Sequence, residues 1–294
     1  MGRDRKTIRR SANMAFRLIR QNRVMEEFKL MGYRIVHFST GWPGDDVSLL
    51  ADQTYNSTSL DEFRKVSIKT SFLRFFLSSA VGNSYRQRFY FNCEKLNDFP
   101  RQKRPAFVYA HYVMPHPPFV FDREGQMPPP HLFPKRPVGS RDWYPPSRYV
   151  DQLSYITRHI EGVITNILAK SHQPPIIILQ SDHGPGCDGI SAHPTHQMLM
   201  ERTGILNAYF VPASFRRELY PTISPVNTFR LLLDTCFARH WRMAPNKTFY
   251  VWGNAPYKFM EVTQTPNSTQ ANARIPAKFE NTGAYFPSAK WAGD

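Results

Sequence analysis

The spacing of apolar positions changes period several times along the chain, and each change predicts a new element. From Val24 to Tyr33, Phe28 and Leu30 fall at helical spacing, Gly32 offers a stop, and Tyr33-Arg-Ile-Val-His-Phe38 then reads as a strand. Phe107 to Met114 is apolar almost throughout, as expected of a parallel strand covered on both faces. It runs into Pro115-His116-Pro117-Pro118-Phe119, so His116 is delivered at its carboxyl edge. After a proline-rich loop, Leu153, Ile156, Ile160, Ile164, Ile167 and Leu168 recur at helical steps, a helix closed by Ser171 and Pro174. Ile176 to Leu179 is too short and too β-branched for a helix and predicts a buried strand ending in Gln180-Ser181-Asp182-His183-Gly184. A further strand over Ile205 to Val211 stops at Pro212, and a helix from about Pro225 to Ala238 points Val226, Phe229, Leu232, Leu233 and Phe237 inward. Helix–strand alternation of this kind predicts an α/β fold, a mostly parallel sheet flanked by helices, with ligands gathered at the carboxyl ends of the strands.

The chain carries 38 Lys+Arg against 23 Asp+Glu, a formal charge of +15, which favours anionic partners: nucleic acid, an acidic lipid surface, or a phosphate or sulfate ester. Many basic residues crowd between Arg3 and Arg23, with Ile8, Ala12, Phe16 and Ile19 between them, and predict a basic amphipathic helix over residues 1–21. It reads either as a helix for a membrane surface or nucleic acid, or as a solvated helix of the domain. No h-region follows it, and no run of about 18 apolar residues occurs, so the chain shows neither a signal peptide nor a spanning helix. Cys93, Cys187 and Cys236 fit neither a disulfide framework nor a C-x-x-C metal pair. Residues 22–263 are expected to form the domain, and residues 264–294, rich in Asn, Ser, Thr, Ala and Pro, a poorly ordered tail.

Chemistry concentrates where strands end. Asp182 and His183 follow a buried strand at a Gly-containing loop, where backbone curvature can turn both side chains to one ion, and a carboxylate with an imidazole suits zinc or manganese. Taken alone, an Asp-His pair is a weak signal, because hydrogen-bonded loop histidines are common. His111 lies within the predicted apolar strand, where a core histidine is the ordinary reading. His159 and His172 read as helix-surface and helix-end residues, and His37 ends a strand with no role assigned. Arg123 is expected to make a loop salt bridge, with an anion contact as the alternative.

Several segments together, in order, carry a resemblance. Tyr149-x-x-Gln152-Leu-x-Tyr155 opening a helix, then Pro-Pro-Ile-Ile-Ile-Leu-Gln-Ser-Asp182-His183-Gly184, resembles the sulfatase-like branch of the alkaline phosphatase superfamily. Ala110-His111-x-x-x-Pro115-His116-Pro-Pro-Phe-Val-Phe121 and Gly32-Tyr-x-x-Val-His37-Phe38 narrow it to prokaryotic proteins related to lipoteichoic acid synthases and phosphoethanolamine transferases. Ile205 to Pro212 and Ser224-Pro-Val-Asn-Thr-Phe-Arg-Leu231 are similar to the strand and helix that close that domain, so the likeness runs from about Asn22 to Thr263. It implies that Asp182 and His183 are metal ligands for Zn, Mn or Ca, that His116 contacts the phosphate or sulfate group or the leaving oxygen, and that His111 is a further site candidate. His193, in Ala192-His-Pro-Thr-His196, is a candidate ligand for a second ion. It also implies an extracytoplasmic, membrane-anchored setting.

The departure matters as much. Family members open with a strand bearing a metal-binding Asp or Glu and later present a Thr, Ser or modified Cys nucleophile at a helix N-terminus. Neither segment is matched here, and Cys236-Phe-Ala-Arg239 has the wrong spacing for the C-x-P-x-R sequence of Cys-type sulfatases. The expectation is a domain incomplete at its N-terminal end, with little turnover alone and an upstream fragment as a possible partner. Three readings stay open: a metal-dependent phosphate or sulfate ester hydrolase or phosphoryl-group transferase; a non-catalytic remnant that binds an anion or partner; and, ranked last, a nucleic-acid-binding protein working through its basic N-terminus.

Overall fold

The structure, a computed structural model, describes residues 5–262 apart from 43, 58–59, 61, 102–103, 129–144, 187–192 and 252–257, together with 284–285. Two compact units follow one another, Met1–His172 and Gln173–Asp294, and each is described by itself.

The first unit opens with helices α1 (Arg5–Arg20) and α2 (Arg23–Leu30). Asn22 caps α2, its Oδ1 accepting from Val24 N at 2.9 Å and Met25 N at 3.3 Å. Gly32 takes φ +84°, and the bond from Tyr33 N to Phe28 O at 3.0 Å closes the helix end. The chain then enters β1 (Arg34–Phe38), whose last four residues are buried. Of the apolar pair read on α2, Phe28 faces the core, while Leu30 on the last turn is 73% exposed.

Strand β1 is the middle of a three-stranded parallel sheet, with β2 (Gln53–Tyr55) on one side and β3 (Ala106–Ala110) on the other. The chain leaves β1 for one side and returns on the other. That reversal makes the gap between β1 and β3 a topological switch point, and both strands deliver their loops to the same carboxyl edge. Strand β3 stops at Ala110, so His111, read as an interior strand residue, lies one position beyond it. Between β2 and β3 run α3 (Glu62–Thr70) and α4 (Arg74–Asp98), which the apolar pattern did not announce. Helix α4 mixes apolar and polar residues on every face, and that removes the periodic signal.

Helix α5 (Pro146–Lys170) packs on α4, and their shared core holds Phe89 and Cys93 from α4, Tyr155, Ile156 and Val163 from α5, and Val120 and Phe121 from the loop after β3. Gln152, fully buried, ties that loop to α5: its Oε1 accepts from Val120 N at 2.8 Å and Phe121 N at 3.2 Å, and its Nε2 donates to Pro115 O at 3.2 Å. Arg86 of α4 donates to Val120 O and Gly125 O, both at 2.9 Å, with its guanidinium 4.5 Å from the centre of the Phe121 ring. The Tyr155 ring stacks on Phe121 at 4.7 Å. The loop bearing His116 is thus held by polar and aromatic contacts at once.

The second unit is antiparallel. Strand β4 (Ile177–Gln180) pairs with β5 (Asn207–Phe210), and β5 pairs with the two-residue β8 (Ala284–Tyr285), a fragment of the expected tail, the rest of which lies outside the described residues. The mostly parallel arrangement is thus seen in the first unit, while β4 and β5, joined through the short α6 (His196–Thr203), run in opposite directions. Helices α7 (Ala213–Glu218) and α8 (Pro225–Phe237) follow, and β6 (Thr248–Tyr250) pairs with β7 (Met260–Val262). The Ser224-Pro-Val-Asn-Thr run has a structural role: Ser224 caps α8, Pro225 begins it, Asn227 bonds Ala244 through both amide atoms, and Thr228 meets Tyr209 Oη at 2.9 Å. Leu232 and Leu233 are buried as expected, but Val226, in the first turn, is 59% exposed. Among the described residues, no helix is long and apolar enough to cross a membrane.

Gly125 adopts φ +86°, and a Cβ there would lie 2.2 Å from the Tyr155 ring. Gly125→Ala is expected to destabilise the protein by about 2–4 kcal/mol, combining overpacking with left-handed backbone strain. A urea midpoint unchanged from wild type would show that the loop yields without cost.

Candidate functional site

The Asp182-His183-Gly184 run emerges from β4 and is folded back on α6. Gly184 N donates to Arg202 O at 2.9 Å, and a Cβ on Gly184 would meet Glu201 O at 1.8 Å, so only glycine fits beneath the helix backbone. Gly184 O in turn accepts from His183 Nδ1 and from Arg202 Nη1, each at 2.9 Å. That bond places the His183 proton on Nδ1 and its lone pair on Nε2. Nε2 stands 3.4 Å from Asp182 Oδ2. Two acceptor atoms facing each other call for a cation or a proton between them, and 3.4 Å matches the ligand–ligand edge, about 3.4 Å, of a tetrahedral shell with ~2.1 Å bonds. Asp182 Oδ1 accepts from His183 N at 2.9 Å, which fixes the carboxylate's orientation. Asp182 is 74% exposed and His183 34%, open enough for a ligand to reach them. These two residues fit a divalent ion as part of a ligand set. His193 is exposed on the turn before α6, and among the described residues no three metal-binding side chains gather in one place.

In the first unit, two loops meet at the switch point. Met114 to Phe119 brings His116, whose Nδ1 donates to Pro117 O at 2.6 Å, and the Trp42 ring from the loop after β1 lies 6.2 Å from it. The β1 loop, Ser39 to Asp46, is closed by its own acids. Asp46 Oδ1 accepts from Ser39 Oγ and from Gly41 N at 2.7 Å, and Asp45 Oδ1 accepts from Thr40 Oγ1 at 2.8 Å. Asp45 Oδ2 pairs with His111 Nδ1, joining the loops after β1 and β3. Burial acts to raise the Asp45 pKa, but the hydrogen bond and charge of His111, with the Thr40 hydroxyl, outweigh it and leave the carboxyl below its ordinary value.

His37, given no role in the sequence reading, is almost wholly buried at the end of β1, and its Nδ1 has no hydrogen-bond partner. Beside it lies a cavity of about 20 Å³ bordered by Asn22, Met25, His37, Asp45, Ser48 and Tyr109, with room for one water molecule. Burial lowers the His37 pKa, opposed by the charge and backbone of Asp45 and the charge of Asp46. Asp45 and Asp46 escaped the sequence reading. The only trace of them was a polar Asp-Asp pair following a Ser-Thr-Gly turn after a buried strand.

The other candidates resolve individually. Arg123 Nε pairs with Asp151 at 3.2 Å on the surface, as expected of a loop salt bridge. His159, read as a surface residue, instead packs among Phe89, Tyr90 and Tyr155, its ring 4.4 Å from Tyr155. That aromatic pocket between α4 and α5 could not be seen because α4 itself gave no signal. His172 is exposed at the end of α5, and His196 begins α6. Burial raises the pKa of the Cys93 and Cys236 thiols, so neither has the character of an activated nucleophile, and Cys187 lies outside the described residues.

A sequence model of the Sulfatase family matches residues 30–218, a span that includes the switch-point loops, α5 and the Asp182-His183-Gly184 turn. The chain belongs to the sulfatase family. No curated protein and no solved structure matches it. The family is one of hydrolases that act on sulfate esters and are generally metal-dependent, so an anionic ester is the class of substrate this sulfatase-family chain is built for.

Because its folded pKa is depressed, His37 contributes stability above its ordinary value of 6.5 that is lost as the pH falls through the folded value. Urea unfolding at pH 7.5 and pH 5.5 is therefore expected to show wild type losing more stability on acidification than His37→Gln. Equal losses in the two proteins would mean that His37 takes up its proton at no cost.

Proposed function

We propose that this sulfatase-family chain is a metal-dependent phosphate or sulfate ester hydrolase, or phosphoryl-group transferase, domain. A divalent ion, Zn, Mn or Ca, is held by Asp182 and His183. The observation that carries the reading is the 3.4 Å approach of Asp182 Oδ2 to His183 Nε2, two acceptors with the imidazole proton already committed to Gly184 O. His193, on the turn before α6, is the candidate for a further ligand in the same unit.

Such an ion neutralises charge on the transferring group and activates an oxygen nucleophile. The chain's own residues do the rest. Gly184 O fixes the His183 tautomer, His183 N orients the Asp182 carboxylate, and Arg202 adds a fixed positive charge beside the turn. In the first unit, taken by itself, His116 with Nδ1 bound to Pro117 O is the candidate to contact a phosphate or sulfate group or a leaving oxygen through Nε2, and His111 is the second candidate. With two ligands and no assigned nucleophile, the reading carries an expectation of low turnover by the chain alone.

A second reading, a non-catalytic protein that binds an anionic ligand or partner, is favoured by the chain's formal charge of +15. Metal content, and hydrolysis of phosphomonoester, phosphodiester and sulfate ester substrates, should be measured for the full chain and for Asp182→Ala and His183→Ala. The proposal expects bound metal in wild type, reduced about tenfold or more in both variants, with any ester cleavage falling in parallel. Metal retained by both variants would remove Asp182 and His183 from the ligand set. A folded wild type that takes up no metal and cleaves none of the three esters would favour the second reading.

A further inference from the structure

The contact between Asp45 and His111 has the form of an orienting pair, and it stands where the sheet topology places ligands. Asp45 is buried, and both of its carboxylate oxygens are engaged, Oδ1 by Thr40 Oγ1 at 2.8 Å and Oδ2 by His111 Nδ1. Thr40 is itself fixed, its Oγ1 accepting from Trp42 N at 3.0 Å, and the Asp45 N bond to Trp42 O at 3.2 Å closes the turn. The carboxylate is therefore held by hydrogen bonds within the turn that carries it. His111 follows the last residue of β3, and Asp45 belongs to the loop that follows β1. The pair joins the two loops at the carboxyl ends of these adjacent parallel strands, the edge where such sheets gather ligands.

The ring geometry gives the pair a direction. Asp45 takes the Nδ1 side of the imidazole, Nε2 is the ring nitrogen on the opposite edge, and 36% of the His111 side chain is accessible. An ionised carboxylate on Nδ1 keeps the proton there in either charge state of the ring, so Nε2 is the atom that gains and loses a proton. Asp45 is held in its ionised form, since burial alone would raise its pKa and His111 together with Thr40 reverses that effect. Two alternatives are weaker. A purely structural bond would place the histidine in the core, yet a third of it is accessible. A solvated surface ion pair would not bury the acid.

We propose that Asp45 is a positioning residue for His111: it fixes the Nδ1–H tautomer and balances the charge of the imidazolium, whose Nε2–H then donates a hydrogen bond to an oxygen of a tetrahedral anion at the carboxyl edge of β1 and β3. That the anion is part of an ester rests on the function proposed above; the tautomer and the anion contact do not. A charge-assisted donor of this kind suits phosphate or sulfate groups.

The test uses the full chain, labelled with ¹⁵N-histidine, at a pH where His111 is partly protonated, titrated with inorganic phosphate in the absence of metal and ester. The expected result is a His111 signal with the proton on Nδ1 and an Nε2 resonance that moves with phosphate. Asp45→Asn, which keeps the side-chain shape, should alter the tautomer and weaken phosphate binding about tenfold while circular dichroism remains that of wild type. Should Asp45→Asn fail to fold, the tautomer and phosphate response of the wild-type His111 signal decide by themselves, with His111→Gln identifying that signal and expected to bind phosphate about tenfold more weakly. A wild-type His111 with its proton on Nε2 in the neutral ring, an Nε2 signal indifferent to phosphate, or a folded variant that binds phosphate as tightly as wild type would each overturn the proposal. Because neither metal nor turnover enters the measurement, its failure is distinguishable from failure of the ester-cleaving function.

Discussion

The amide of Gln152 is the constraint on which the first unit depends. A loop that leaves a parallel strand and turns under a helix has backbone donors with no strand to pair with, and burying them unpaired costs about 1–3 kcal/mol each. Gln152 answers two of them, Val120 N and Phe121 N, with one oxygen, and uses its nitrogen for Pro115 O on the other side of His116. A single buried side chain therefore spans the His116 turn and anchors it to α5. Arg86 from α4 and the stacked rings of Phe121 and Tyr155 add to the same anchorage, so the position of His116 is set by two helices at once.

The site loops obey a common logic: one ring nitrogen of each candidate histidine is engaged by backbone or by a neighbouring acid. His183 and His116 both commit Nδ1 to a carbonyl of the following residue, Gly184 and Pro117. His111 commits Nδ1 to a carboxylate instead. The difference is chemical as well as geometric. A carbonyl holds the proton on Nδ1 in either charge state of the ring, whereas a carboxylate in addition stabilises the positive ring.

The sequence disclosed the elements whose burial is periodic or continuous. The helix running to Lys170, the strand at Ile177, and the cap and packing residues of Ser224 to Leu233 were legible because each has an uninterrupted apolar face or a recognisable terminus. Asp182, His183 and His116 were legible because short motifs surround them. The Asp45 loop was not, because its significance comes from pairing across the sheet with His111, and an Asp-Asp pair in a turn looks like any solvated loop. Helix α4 was not, because its apolar residues are spread around the axis and face α3, α5 and solvent in turn. The direction of β5 was not, because a short helix between two strands permits either sense, and only the ladder from Ile177 to Phe210 decides it.

The register between β1 and β3 pairs residue 34 with residue 106, while β1 and β2 meet across a much shorter stretch of chain. Closing so long a loop is entropically costly, and nonlocal parallel pairing is slow. The Asp45–His111 contact therefore has no local precursor during folding: it forms only when β3 docks on β1 across the intervening chain. In kinetic terms the candidate site is a late product of the chain, absent from any partly folded form in which β3 has not yet docked.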